Sequence, residues 1–318
     1  MQGAPEISVA VTTRNRSVRL EGMLRSLADQ TLDKERFEVV VVDDGSTDGT
    51  GDSLASSSRE GRLQLRVVGS PGSGLAAARN ASWGAARAPL VAFIDDDCEA
   101  TPKWLEGALA EAAEHPGVII QGPTTPIPRE LELTGPFTRT KDISEPNPSY
   151  QTCNIVYPRV VLERTGGFDE RLREQGEDTD LGWRARELGV DLHWSDRVRV
   201  HHAVDDLGPT GFLRTALRGA DAVRVFKRHP ELREEGLRWG IVRYAGMPGL
   251  ALALVAIRIA RRSPVLALLL ALPYARHLAR TCRRRRASFL LAPYYLLWDL
   301  LFAYTALRGS LRHRTLVL

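Results

Sequence analysis

Apolar positions along the N-terminal third of the chain follow two different periods. Residues 7–11 form a short β-branched run, and the polar stretch Thr12-Thr-Arg-Asn-Arg16 follows it. Residues 18–30 then carry Leu20, Met23, Leu24 and Leu27, the spacing of a helix with one buried face. Residues 37–42 are apolar without alternation, as in a strand covered on both faces of a parallel sheet. That run stops at Asp43-Asp-Gly-Ser-Thr-Asp-Gly-Thr50, a stretch of turn and N-cap residues. Residues 63–68 predict a third strand, 75–86 a helix and 90–94 a fourth strand.

Beyond Pro102-Lys-Trp-Leu105 and its helix, residues 122–149 are rich in Pro and Thr with weak periodicity, which predicts a loop or lid. Residues 151–161 regain strand character. Gly166-Gly-Phe-Asp-Glu170 and the acidic Gly176-Glu-Asp-Thr-Asp-Leu-Gly-Trp183 lead into a helix ending near Gly189, and residues 191–202 predict one more strand or a strand pair. Strands alternating with helices imply a layered α/β fold with right-handed crossovers and a mainly parallel sheet. In such sheets ligands gather beyond the carboxyl ends of the strands. Thr12, Asp43, Asp44 and Asp95–Asp97 all lie at those ends.

Composition adds a division of charge. With 43% hydrophobic and 26% charged residues, the 318-residue chain has the balance of a globular protein. Its net charge of +4 combines +13 on residues 238–318 (14 Arg, no Lys, one acid, Asp299) with −9 on the rest (29 basic, 38 acidic residues). An acidic body with a basic, apolar tail predicts contact with an anionic surface at one end. The expected division is a first half of one domain at 1–120, its second half at 121–237 and a basic, apolar helical tail at 238–318. The cysteines Cys98, Cys153 and Cys282 have neither disulfide-framework nor zinc spacing, which points to a reducing compartment. The first residues lack the basic and apolar regions of a signal peptide, so a cytoplasmic body is expected.

Three consecutive carboxylates after an apolar strand repel one another. They are either a solvated acidic turn or the ligands of a hard divalent cation, whose remaining positions go to phosphate oxygens and water. On an extended chain Asp95 and Asp97 point the same way, so both can face one ligand. Asp43-Asp44 reads as an Asx turn or, beside a metal–diphosphate site, as an acceptor for a nucleotide's base or sugar. Arg79 pairs with these acids, with phosphate, or simply with water. Gly72-Ser-Gly-Leu-Ala-Ala77 opens a helix 21 residues before Asp95, imitating a dinucleotide fingerprint. A whole strand–helix unit precedes it, so a nicotinamide enzyme ranks well behind. Glu177-Asp178 is a helix cap or a general base near the ligand edge. His201 and His202 face opposite sides of a strand, so one at most reaches the site easily.

The motifs are more informative in order than singly. Ser8-Val-Ala-Val-Thr-Thr-Arg-Asn15, Val39-Val-Val-Val-Asp-Asp-Gly-Ser-Thr-Asp48, Ala78-Arg-Asn80, Phe93-Ile-Asp-Asp-Asp97, Gly166-Gly-Phe-Asp-Glu170 and Glu177-Asp-Thr-Asp-Leu181 together resemble the family 2 inverting glycosyltransferases of GT-A fold, over residues 6–202. The resemblance implies a metal-dependent transfer of a sugar from a nucleoside-diphosphate donor to a hydroxyl acceptor. It makes Thr12, Arg14, Asp43, Asp44, Arg79, Asp95 and Asp96 donor contacts, and Asp97, Asp95 and His201 (with His202 second) the site of Mn²⁺ or Mg²⁺. It makes Asp178 the base with Glu177 beside it, and gives Gly166, Gly167 and Trp183 to the acceptor pocket. Cys98 departs from the pattern, where a further polar residue is common. A non-catalytic, membrane-bound nucleotide-sugar-binding scaffold is the alternative.

In the tail, apolar stretches at 248–257, 264–275 and 289–307 are separated by Arg258, Arg261-Arg262 and Arg283–Arg286. The last, 19 residues long, would span roughly 28 Å as a helix, and Pro293 and Asp299 interrupt it. Core helices, interfacial helices and a membrane span compete. Tyr294, Tyr295, Trp298 and Tyr304 beside many Arg favour the interface, and with it a peripheral or monotopic attachment and a lipid-linked or membrane-borne glycan acceptor. No nucleic-acid recognition module accompanies the Arg run.

Overall fold

The computed structural model describes residues 4–173, 175–244 and 246–317. Strand β1 (Ile7–Thr13) leads to helix α1 (Ser17–Ala28), β2 (Phe37–Asp43) to α2 (Thr50–Glu60), and β3 (Leu65–Gly69) to α3 (Leu75–Ala85). Strands β4 (Leu90–Ile94) and β5 (Cys98–Ala100) precede α4 (Trp104–Glu114). Then come β6 (Ile119–Gln121), β7 (Thr124–Pro126), the two-residue β8 (Thr138–Arg139) and β9 (Asn154–Pro158). Helices α5 (Arg159–Thr165) and α6 (Glu177–Glu187) lead to β10 (Leu192–Trp194), β11 (Val200–His202) and β12 (Asp205–Asp206).

Seven strands form the main sheet in the order β10-β6-β9-β4-β1-β2-β3. All neighbouring pairs are parallel except those of β9, which runs antiparallel to both β4 and β6. Val39–Val42 of β2 are all fully buried, which explains their lack of alternation: helices cover both faces. Helix α1 buries Leu20, Met23, Leu24 and Leu27, the residues its spacing picked out. Each such side chain contributes on the order of 1.5–3 kcal/mol. A second sheet has the order β5-β11-β7. Buried Asn154 joins it to the main sheet, accepting from Trp104 Nε1 at 2.9 Å and donating to the Pro123 and Val198 carbonyls at 3.1 and 2.8 Å. Residues 122–149, expected to be a loop, contain β7, a 3-10 turn at Pro128–Leu133 and β8.

The chain divides into two compact units, the first being Met1–Glu130, Thr140–Arg173 and Glu177–Ala203. The expected boundaries near 120 and 237 are not those of the units. Strand β9 sits between β4 and β6, so residues 154–158 complete the same sheet as residues 7–94. The second unit comprises Leu131–Arg139, Glu174–Gly176 and Val204–Leu318. It holds α7 (Gly208–Ala216), α8 (Ala222–Arg228), α9 (Pro230–Gly236), α10 (Met247–Ile259), α11 (Pro264–Arg284) and α12 (Ala292–His313). Helices α10 and α11 pack against each other, with Gly249 of α10 lying against the Tyr274 backbone of α11. Pro293 lies in the first turn of α12, where a missing N–H costs nothing, so it starts the helix and does not interrupt it. Asp299 is buried within that helix and accepts from Tyr274 Oη at 2.7 Å.

Candidate active site

Register brings the ends of β4, β1 and β2 side by side, and the loops leaving them are laced together. Asn15 N donates to Ser46 Oγ at 2.9 Å, and Thr47 N to Asn15 Oδ1 at 2.7 Å. Asp43 Oδ1 accepts from Ser46 N at 2.9 Å. Buried Asp44 holds the loop that precedes α3: Ser70 Oγ and Ser73 N donate to Oδ1 at 2.6 and 2.8 Å, and Gly74 N to Oδ2 at 3.1 Å. Burial would raise this carboxyl, but those hydrogen bonds and the charge of Arg14 outweigh it and hold it below the ordinary range.

Past Ile94 the chain turns, with Cys98 N donating to the Asp95 carbonyl at 3.1 Å. The three aspartates therefore diverge. Asp95 gives one oxygen to Arg79 at 3.2 Å and the other to Lys141 at 3.0 Å. Burial opposes its ionisation, yet Lys141 and Arg79 prevail and keep it well below the ordinary range. Asp96 is nearly buried, and burial with the adjacent Asp97 charge pushes it up to about 7. Asp97 faces the other way, its Oδ2 receiving Arg16 Nη1 at 2.6 Å.

Asp97 Oδ1 also lies 3.4 Å from His202 Nε2. The other ring nitrogen of His202, Nδ1, is 2.7 Å from the Ala203 carbonyl, an acceptor only, so the proton belongs on Nδ1. The Nε2 lone pair is then turned towards a carboxylate, an arrangement that a cation between them would satisfy. Cys98 completes a group whose candidate ligand atoms lie within 4.8 Å, but burial keeps its thiol well above the ordinary range. The fitting donors are therefore the Asp97 carboxylate and His202 Nε2.

At the N-terminus of α6, Glu177 is buried and paired with Arg79, whose guanidinium thus bridges Glu177 and Asp95. Asp178 follows, its Oδ1 accepting from Thr179 N at 2.8 Å. Burial first, then the Glu177 charge, raises its carboxyl to about 6, a value suited to a base near neutrality.

Residues 8–169 of the chain match the family described as Glycosyl transferase family 2. The chain belongs to that family. It is 30% identical to a validoxylamine A glucosyltransferase of Streptomyces hygroscopicus subsp. jinggangensis, over 74% of this chain and 64% of the relative. It is 28% identical to a pre-mycofactocin glycosyltransferase of Mycobacterium tuberculosis, over 71% of this chain and 48% of the relative. The chain thus spans about half to two thirds of the length of these relatives. A mannosyltransferase from Pyrobaculum calidifontis, PcManGT, solved with GDP-Man and Mn²⁺, shares the fold with a TM-score of 0.64 at 21% identity, covering 98% of this chain and 88% of that one. The fold is GT-A-like, as the family match and the Pyrobaculum neighbour show.

Within this GT-A-like chain, several residues sit differently from expectation. His201 is turned away: its Nδ1 lies 2.9 Å from Thr125 Oγ1, and strand alternation leaves His202 beside Asp97. Asp95 does not face Asp97's partners, because the chain is turned and not extended there. Gly166 and Gly167 are the left-handed C-cap of α5, and Arg184 binds the Thr165 and Gly167 carbonyls at 2.5 and 2.6 Å. A Cβ at Gly167 would lie 2.5 Å from Asn80 Oδ1, so packing against α3 accounts for this glycine. Trp183 is buried, with Nε1 donating to the Pro148 carbonyl at 2.9 Å, which leaves no open face for a sugar. Thr12, near the end of β1, is half-buried, and Arg14, just past it, is exposed. Arg16 and Lys141 were missed: Lys141 lies in the weakly patterned stretch, and nothing in the sequence links it to Asp95.

Proposed function

We propose that this glycosyltransferase transfers the sugar with inversion, Asp178 removing the acceptor hydroxyl's proton and Asp97 with His202 holding Mn²⁺ or Mg²⁺. The observation that carries the reading is His202 Nε2 facing Asp97 Oδ1 across 3.4 Å. Asp97 and His202 would hold the divalent ion, which when bound would supply charge stabilisation to the departing diphosphate. Asp43 and Arg14 line the donor's base and sugar end, while Asp44 shapes that end by fixing residues 70–74. Arg79 acts as a positioning residue, tying the Glu177-Asp178 pair to the aspartate loop so that base and diphosphate ends keep one geometry. Inversion needs one in-line attack and therefore one base, which matches a single raised carboxyl at α6. The GDP-Man and Mn²⁺ held by the Pyrobaculum neighbour support a donor and ion of these classes.

We also infer that the second unit attaches the enzyme to an anionic bilayer, with a lipid-linked or membrane-borne glycan as acceptor. On α10 and α11, Ile257, Val265 and Leu268 are each more than 70% exposed, beside Arg258, Arg261 and Arg262. Phe289–His313 is the one helix among the described residues long and apolar enough to cross a membrane, and its buried Asp299 suits an interfacial helix better than a span.

The test is a panel of nucleoside-diphosphate sugars with Mn²⁺, Mg²⁺ or chelator, followed by NMR of the product's anomeric centre. Ion-dependent release of nucleotide and an inverted anomer are expected. Ion-independent turnover removes the metal assignment, and a retained anomer removes the single-base mechanism.

A further inference from the structure

A second cluster of ligand-type side chains lies outside the site described above. Glu111 on α4, His115 at its C-cap and His193 on the edge strand β10 place one donor atom each within 4.8 Å of the others. Glu111 Oε2 is 2.8 Å from His193 Nε2 and 3.9 Å from His115 Nε2. The two imidazoles lie face to face, with centroids 3.9 Å apart and planes 31° from parallel.

We propose that Glu111, His115 and His193 bind one divalent transition-metal ion, best Zn²⁺, with a water in the fourth position. Zinc bonds to imidazole nitrogen and carboxylate oxygen are about 2.0–2.2 Å, which sets tetrahedral ligand–ligand separations of roughly 3.3 Å. The two carboxylate–imidazole separations, 2.8 and 3.9 Å, straddle that value, so small ring rotations would bring both nitrogens to ligand distance. The carboxylate is already oriented. Glu111 is buried, and its Oε1 accepts from Ser195 Oγ at 2.5 Å, which leaves Oε2 directed at the imidazoles. The histidines are reachable from solvent, His115 with 44% of its side chain exposed and His193 with 29%, so an ion has a path of entry. Two nitrogens and one oxygen favour zinc over the hard cation proposed for Asp97 and His202.

The position gives the ion a task. Strand β10 is at the edge of the main sheet, paired among the described residues with the three-residue β6, and Gly107 of α4 sits against the Arg197 backbone. A metal bridge fastens α4 to this short edge and to the segment that leads into β11. It is a structural clamp, independent of the transfer chemistry.

The test uses the full chain carrying Asp97→Ala and His202→Ala, which removes the other donor pair. After chelator treatment, this protein is titrated with Zn²⁺ by calorimetry, and with Co²⁺ followed by its tetrahedral visible spectrum. One equivalent is expected, with a Tm rise of about 5 °C at a hundredfold excess over Kd. Adding His115→Ala or His193→Gln should weaken binding at least tenfold and abolish the Tm rise. Because His115 is a surface residue, its replacement leaves the fold intact. No saturable binding in the Asp97→Ala, His202→Ala protein, or binding unchanged by both histidine substitutions, overturns the proposal. Neither result bears on the metal assigned to Asp97 and His202.

Discussion

His201 and His202 are adjacent, and only the second faces Asp97, because a strand turns successive side chains to opposite sides. His202→Ala should raise the Mn²⁺ concentration needed for half-maximal transfer at least about tenfold, as for the loss of a metal ligand or its partner. His201→Ala should leave it within about twofold, and equal effects in Mn²⁺ titrations of turnover would contradict the geometry. Asp178 carries the pH dependence. Its carboxyl, raised to about 6 by burial and Glu177, must be ionised to accept a proton. Below that pH, kcat/KM should fall about tenfold per unit, with a plateau above it, and Asp178→Asn should lower kcat about a hundredfold or more. The stability consequence has the opposite sense. A folded-state value above the reference of 3.8 means that stability falls as pH rises from about 4 to about 6. Relative to the parent, the Asn variant should therefore gain stability across that window in urea titrations.

At the scale of elements, the turn between α5 and the acidic segment shows how a sequence motif can be structural. Gly166 and Gly167 have φ of 75° and 71°, but only Gly167 touches α3. Gly166→Ala meets nothing within 4 Å and should cost about 1 kcal/mol of backbone strain. Gly167→Ala adds a clash with Asn80 Oδ1 and with the Trp83 ring at 2.9 Å, and should cost about 2–4 kcal/mol. Denaturant unfolding of the two variants checks the difference, which reversed order would refute. In the first hundred residues β1 to β4, α1 and α3 were legible within two residues, because apolar runs and a one-faced helix leave clear periods; α2 and β5 were not, since α2 buries only Thr50 and Leu54 and β5 has three residues. The strands after residue 118 are mostly two or three residues long, too short to carry a period.

For the whole molecule, the charge division and the exposed apolar hairpin lead to one expectation. The full chain should sediment with vesicles containing phosphatidylglycerol and much less with pure phosphatidylcholine. Replacing Leu268 and Leu269, 71% and 60% exposed, by Asp should reduce that partition at least about tenfold. Binding that ignores both lipid charge and these substitutions would rule the attachment out. The division into units followed contacts that no local pattern announces, since β9 crosses back between β4 and β6 and draws residues 154–158 into the first sheet.

What the sequence determined by itself was the alternating α/β order, the acids at the strand ends, the order of motifs and the basic tail, because each is written in neighbouring residues. Tertiary structure alone decided which acid meets which cation. Arg79 reaches Glu177 across 98 positions, Lys141 reaches Asp95 across 46, and Arg16 reaches Asp97 across 81. Such pairings depend on loop paths and side-chain direction, which local periodicity does not encode.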